Sequence, residues 1–265
     1  MTTGTTTTTD MPAPARPPAR AWGAMVAAEA RMVARDTGGL VVPLGMPVLI
    51  LVMNGVAFDT GQVVPGTGGA TAFSLYVLPL TLTLVVATVG VINMPSFLAA
   101  YRRTGILRRL GVTPASPAMV LVAQALVGVV QIALGIAVAC VVAALAFDAT
   151  APASPWLAVG VLALTVAAMY GVGMLVAAVA PTPQSAVALG LVAFFAIAAV
   201  GGMFGPRENL PDVLAQVGGY LPFGAAVDGL GAAWAGVAVP ASSWLGLSLA
   251  TVVPGALAAW LFRWE

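Results

Sequence analysis

Between residues 101 and 114 the chain reads YRRTGILRRLGVTP, a stretch that holds four of its ten basic side chains, every one an arginine. Arg102 and Arg103 form one pair and Arg108 and Arg109 a second, with Thr104, Gly105, Ile106 and Leu107 between them. At helical spacing Leu98, Tyr101, Ile106, Leu107 and Leu110 make one apolar face with the guanidinium groups elsewhere, and Gly111, Pro114 and Pro117 stop the helix. Guanidinium groups placed in this way can anchor the orientation of a membrane segment, or can give a peripheral protein a short amphipathic helix to push against. Spacing alone leaves both open.

No other stretch offers a reactive constellation. The chain has no histidine and a single cysteine, Cys140, so an imidazole base, a metal-ligand set and an intrachain disulfide all lack their groups. It has no lysine, which excludes a phosphate-binding loop of the form GxxxxGKS/T. An intramembrane enzyme would need a protic or metal constellation at depth, and none is legible. The net charge of +1 gives no case for binding nucleic acid.

The elements that must position these residues follow from composition. Only 7% of the 265 residues are charged and 60% are hydrophobic, whereas ordinary soluble domains carry about 25% charged residues. The chain reads as an all-α integral membrane protein. A bilayer core needs roughly 20 apolar residues per helical span, and six stretches supply them, near 40–58, 71–97, 119–147, 156–180, 185–204 and 243–262. None shows the alternation of a membrane β-strand. The first span begins too late, behind too long a polar leader, for a cleavable signal peptide.

Residues 1–20, rich in Thr and Pro, read as a disordered tail, and 21–265 as one six-span domain. Within 21–37, Trp22, Met25 or Val26, Met32 and Val33 oppose Glu29, Arg31 and Arg35, an amphipathic pattern suited to a helix in the membrane interface before the first span. With six spans, nine of the ten arginines fall on one side and only Arg207 on the other, so the positive-inside rule places both termini in the cytoplasm. Pro79 and Pro254 interrupt the second and sixth spans and predict kinks. Gly201 and Gly205 form a GxxxG, read as ordinary close helix packing.

The segment between the fifth and sixth spans mixes apolar residues with Pro211, Gly218, Gly219 and Pro222, which predicts short re-entrant helices forming an outer gate. Polar groups at depth are few. Asn93, Gln124 and Gln131, with several threonines, could line a pathway, but no buried charge stores energy for transport. Energy then has to arrive from another subunit. A nucleotide-independent transporter or channel should show buried charges or paired half-spans; a non-transporting membrane scaffold remains compatible with the pattern.

The arginine segment resembles the signature that follows the second transmembrane helix in permease subunits of type-2 ABC exporters, matching at Arg102, Arg103, Gly105, Leu107, Leu110, Thr113, Pro114 and Ser116. The similarity extends over nearly the whole chain past residue 20 and looks nearest to the actinobacterial drug-resistance permeases of the daunorubicin type. It departs from them in lacking a glutamate beside the arginines, where Tyr101 and Thr104 stand. The resemblance implies a non-enzymatic permease of the cell membrane, carrying a drug, lipid or saccharide. It implies a second permease copy and a separate ATPase subunit that holds ATP and magnesium. Tyr101, Arg102, Arg103, Gly105, Leu107, Arg108, Arg109 and Leu110 would form its cytoplasmic coupling helix.

Overall fold

Runs of Ala, Leu, Val and Gly leave a chain in lipid one economical way to pair its backbone, and the computed structural model is accordingly helical. It describes residues 19–57, 62–67, 69–104 and 117–261. The helices are α1 (Ala19–Arg35), α2 (Thr37–Ala57), α3 (Phe73–Arg103), α4 (Pro117–Phe147), α5 (Pro155–Val179), α6 (Pro183–Val200), α7 (Asp212–Tyr220), α8 (Pro222–Ala235) and α9 (Ala241–Leu261). Six of them, α2 to α6 and α9, are long and apolar enough to cross a membrane. Among the described residues there is no strand, only an isolated bridge from Val63 to Thr71.

Proline at the first turn marks the start of α5, α6 and α8, where its missing N–H is not needed. The start of α6 is further fixed by a capping box between Thr182 and Ser185. At its other end α6 stops at Val200, four residues short of the expected boundary, because Gly202 takes a φ of +96° that ends the helix. Gly201 and Gly205 therefore belong to a turn and not to a helical GxxxG face.

The centre of the bundle is α3. In its most apolar stretch 83% of residues are buried, against 17–39% in the other five long helices. At Pro79 it remains continuous as a helix. Two π-helical segments, Phe73–Val77 and Thr88–Asn93, each lead into an α-helical turn with Pro79 or Pro95 near its start. It also runs past the expected end of the second span to Arg103, because Leu98, Ala99 and Tyr101 remain buried against neighbouring helices. Thr104 then turns its hydroxyl back to the carbonyls of Ala100 and Tyr101 and ends the helix.

Prolines within helices leave carbonyls without a donor, and the neighbours are arranged around them. Pro95 has no N–H for Gly90 or Val91, and onto those two carbonyls pack the backbones of Gly173 in α5 and Gly190 in α6. Pro79 likewise frees Leu75, against which Gly231 of α8 lies, and Pro254 frees Ala250, against which Gly171 of α5 lies. A side chain at any of these glycines would separate the helices; without one, Cα–H groups reach the oxygen.

This packing predicts a contrast. Gly173→Ala drives a methyl into the Gly90 carbonyl, a backbone atom that cannot rotate away, and should destabilise the protein by about 1–3 kcal/mol. Gly23→Ala in α1 meets nothing within 4 Å and should be neutral or stabilising. Thermal unfolding of the two purified variants in detergent checks the pair.

Candidate functional site

The residues singled out by the arginine motif divide at Thr104. Gly105, Leu107, Arg108, Arg109 and Leu110 lie outside the described residues. Tyr101, Arg102 and Arg103 form the last turn of α3, each directed differently. Arg103 is exposed. Arg102 donates from Nη2 to the carbonyl of Ala180, which follows the end of α5. Tyr101 is 7% exposed and donates from Oη to both carboxylate oxygens of Glu29 at 2.6 Å.

Glu29 corrects the reading of α1. The amphipathic pattern placed it on the polar face with Arg31 and Arg35, yet it is 4% exposed and points inward with Val33, while both arginines face outward. The signal was present in the spacing. Trp22, Met25 or Val26, Glu29, and Met32 or Val33 fall on one stripe, and the carboxylate occupies a position where a core residue belongs. Burial pushes the Glu29 carboxyl above its ordinary value of 4.5, and the Tyr101 hydroxyl opposes part of that rise. A carboxylate from α1 thus lies beside the last turn of α3.

Next along the bundle, the three amides expected to line a pathway are brought together. Asn93 Nδ2 and Gln131 Nε2 both donate to the Gly39 carbonyl, at 2.6 and 2.7 Å. Gly39 stands four residues before Pro43 in α2, so its oxygen lacks a helical partner and these amides replace it. Gln124 Nε2 donates to the Met94 carbonyl at 3.3 Å. The hydroxyls of Thr81, Thr83, Thr88 and Thr165 return to carbonyls of their own helices.

At the opposite end of the bundle the gate residues gather around a pair absent from the sequence reading. Arg207 Nη2 lies 2.6 and 2.5 Å from the Asp228 carboxylate oxygens, tying the turn after α6 to the middle of α8. Gly218 packs its backbone on the Val200 carbonyl, Gly219 faces the Arg207 guanidinium, and Pro222 is buried at the start of α8, while Pro211 is exposed before α7. Tyr76 of α3 donates to the carbonyls of Gly202 and Gly205 at 2.7 and 3.1 Å. α8 itself is buried among α3, α5 and α9. Twenty-one residues separate the two charges, and no helical or strand period links them. Beside this turn a cavity of about 330 Å³ opens between α2 and α3, lined by Asn54, Tyr76, Leu80, Met203 and Phe204. Asn54, not singled out from the sequence, donates to the Ile50 carbonyl of its own helix at 2.8 Å.

Two outcomes follow. A group whose folded pKa is raised stabilises the fold fully below its unfolded pKa and loses that contribution as pH rises through the folded value. The wild-type melting temperature should therefore fall, relative to Glu29→Gln, as pH is raised from 4.5. Tyr101→Phe should enlarge the fall by removing the carboxylate's donor. For the other pair, the side chains are 20% and 27% exposed, so a double-mutant cycle with Arg207→Ala and Asp228→Ala should give a coupling of about 0.5–1.5 kcal/mol, between surface and buried values.

The described arginines thus divide between the ends: Arg102 and Arg103 close α3 and Arg20, Arg31 and Arg35 lie on α1, which Glu29 ties to that end, whereas Arg207 lies at the other. A bundle of six apolar helices, one of them buried at its centre, is a multi-pass membrane protein. Comparison with known families places it more closely: the profile described as ABC-2 type transporter matches residues 20–233. No curated protein matches the chain. The matched region takes in the described helices from α2 to α7 and all but the last two residues of α8, and the chain belongs to the ABC-2 type transporter family, as the membrane permease component of an ABC transporter.

Proposed function

We propose that the chain is half of the translocation path of an ATP-driven exporter, paired with a second permease copy and driven by two separate ATPase subunits that bind ATP and magnesium. The observation that carries this reading is the attachment of the last turn of α3 on two sides. Tyr101 holds it to α1 through Glu29, and Arg102 holds it to the end of α5 through Ala180. A force applied just beyond Arg103, at Gly105 to Leu110, would reach α1, α5 and the buried central helix together. Rigid packing transmits such a displacement because the α3 backbone touches Gly173 and Gly190 directly.

In this reading both termini are cytoplasmic and α7 and α8 form the outer gate, closed by the Arg207–Asp228 pair. Cargo passes along the face where the Asn54 and Tyr76 cavity opens, completed by the partner copy. Charges are absent from that lining, which suits a hydrophobic or amphipathic molecule: a drug as in the daunorubicin-type permeases, a lipid or a saccharide.

The test is co-expression with a candidate ABC ATPase subunit from the same genome, followed by detergent pull-down and reconstitution. Leu107→Asp or Leu110→Asp should release the ATPase while membrane insertion is retained. Arg108→Ala with Arg109→Ala should keep the complex and lower cargo-stimulated ATP hydrolysis several-fold. An ATPase that stays bound to both aspartate variants, or cargo transport by the purified permease alone, would overturn the proposal.

A further inference from the structure

At the Arg102 end of the bundle the last turns of three spans border an open groove of about 590 Å³. Arg102 and Arg103 of α3, Val179 of α5, Pro181 and Thr182 of the turn into α6, and Leu261 of α9 line it. Its wall is divided by chemistry. On one side stand two guanidinium groups. That of Arg102 is oriented by its bond to the Ala180 carbonyl, and that of Arg103 is exposed and makes no ion pair among the described residues. On the other side Val179 and Leu261 are exposed apolar side chains, as is Trp260, the neighbour of Leu261 in the chain.

Depth and charge together say what such a groove takes. α5 has 25 residues, about 37 Å at 1.5 Å per residue, so its last turn reaches past a hydrocarbon core about 30 Å thick to headgroup level. Tryptophan is enriched at that level, where its ring meets both media. No carboxylate lines the groove among the described residues. A second groove, beside Arg31 and Arg35 of α1, has the Asp36 carboxylate in its wall, which offsets its charge. We infer that the groove at the end of α3 holds the headgroup of an anionic glycerophospholipid, its phosphate facing Arg102 and Arg103 and its acyl chains lying on Val179, Leu261 and Trp260.

Guanidinium is suited to this because its planar fork matches phosphate oxygens and it is weakly hydrated. Orienting Arg102 through Ala180 beforehand lowers the entropy lost on binding. A soluble phosphate would forgo the apolar side, and a zwitterionic lipid would bring a cation toward the arginines. The site requires only that the chain sit in a membrane; coupling to an ATPase has no part in it.

The probes are dioleoyl phosphatidylglycerol and dioleoyl phosphatidylcholine, alike in their chains and different in headgroup charge. They are offered as an equimolar mixture to the purified full chain in neutral detergent, and the retained lipid is counted by native mass spectrometry. Wild-type protein should prefer phosphatidylglycerol by about fivefold or more, the factor typical of one arginine beside anionic lipid, and Arg103→Gln should lower the preference by about that factor. Val179→Glu, which places a carboxylate in the wall and leaves both arginines intact, should abolish it. Arg31→Gln with Arg35→Gln should leave it unchanged, and excess glycerol 3-phosphate should not displace the lipid. Each variant is first required to match the wild-type elution volume, and if Arg103→Gln fails this, Val179→Glu decides. Equal retention of the two lipids by wild type, a loss in the α1 pair equal to that in Arg103→Gln, an undiminished preference in Val179→Glu, or displacement by glycerol 3-phosphate would each overturn the inference. Failure of the ATPase pull-down described above would leave it standing.

Discussion

A carbonyl freed by proline inside a helix cannot turn to water when the helix is surrounded by hydrocarbon, and this constraint sets how the bundle closes. At four of the prolines inside helices, Pro43, Pro79, Pro95 and Pro254, a neighbouring helix meets the need. Pro43 exposes Gly39, which takes two amides from α3 and α4; Pro95, Pro79 and Pro254 expose carbonyls against which glycines of α5, α6 and α8 lie. Apolar contact alone would let such helices slide, since lipid is as apolar as they are. A directional acceptor that must face one particular backbone gives each pair a register. That α3 receives most of these contacts explains why it is the buried one.

Charge follows the same economy. Among the described residues the only inter-residue ion pair is Arg207–Asp228, and the buried carboxylate of Glu29 is held by a hydroxyl. The first ties the turn after α6 to the buried α8, the second ties α1 to the end of α3. Tyr101, beside the arginine pair at the end of α3, reaches an acid on another helix.

Six spans and the bias of arginines were legible in sequence because length and composition alone report them. The amides Asn93, Gln124 and Gln131 stood out for the same reason, as polar groups in apolar runs, although their hydrogen bonds to Gly39 and Met94 needed the fold. Glu29 was misplaced because residue type was allowed to override its position on the stripe. The π segments left no mark in the hydrophobic pattern, and the glycines that pack beside them lie tens of residues away in sequence. Arg207 and Asp228 were invisible as a pair for that reason too. The arginines at 108 and 109 lie beyond the described helix end, so their role still stands on the motif.

The Gly39 carbonyl has a further consequence, for the order in which the chain is made. Its two donors follow it by 54 and 92 residues, and ribosomes add roughly 5–20 residues per second. For several seconds the first span therefore waits in the nascent chain with an acceptor that only later helices can fill. Glu29, whose tyrosine follows by 72 residues, waits through the same interval. Biogenesis thus has a built-in sequence: the leader helix and first span emerge first, yet their buried polar groups are satisfied only after α3 and α4 have followed.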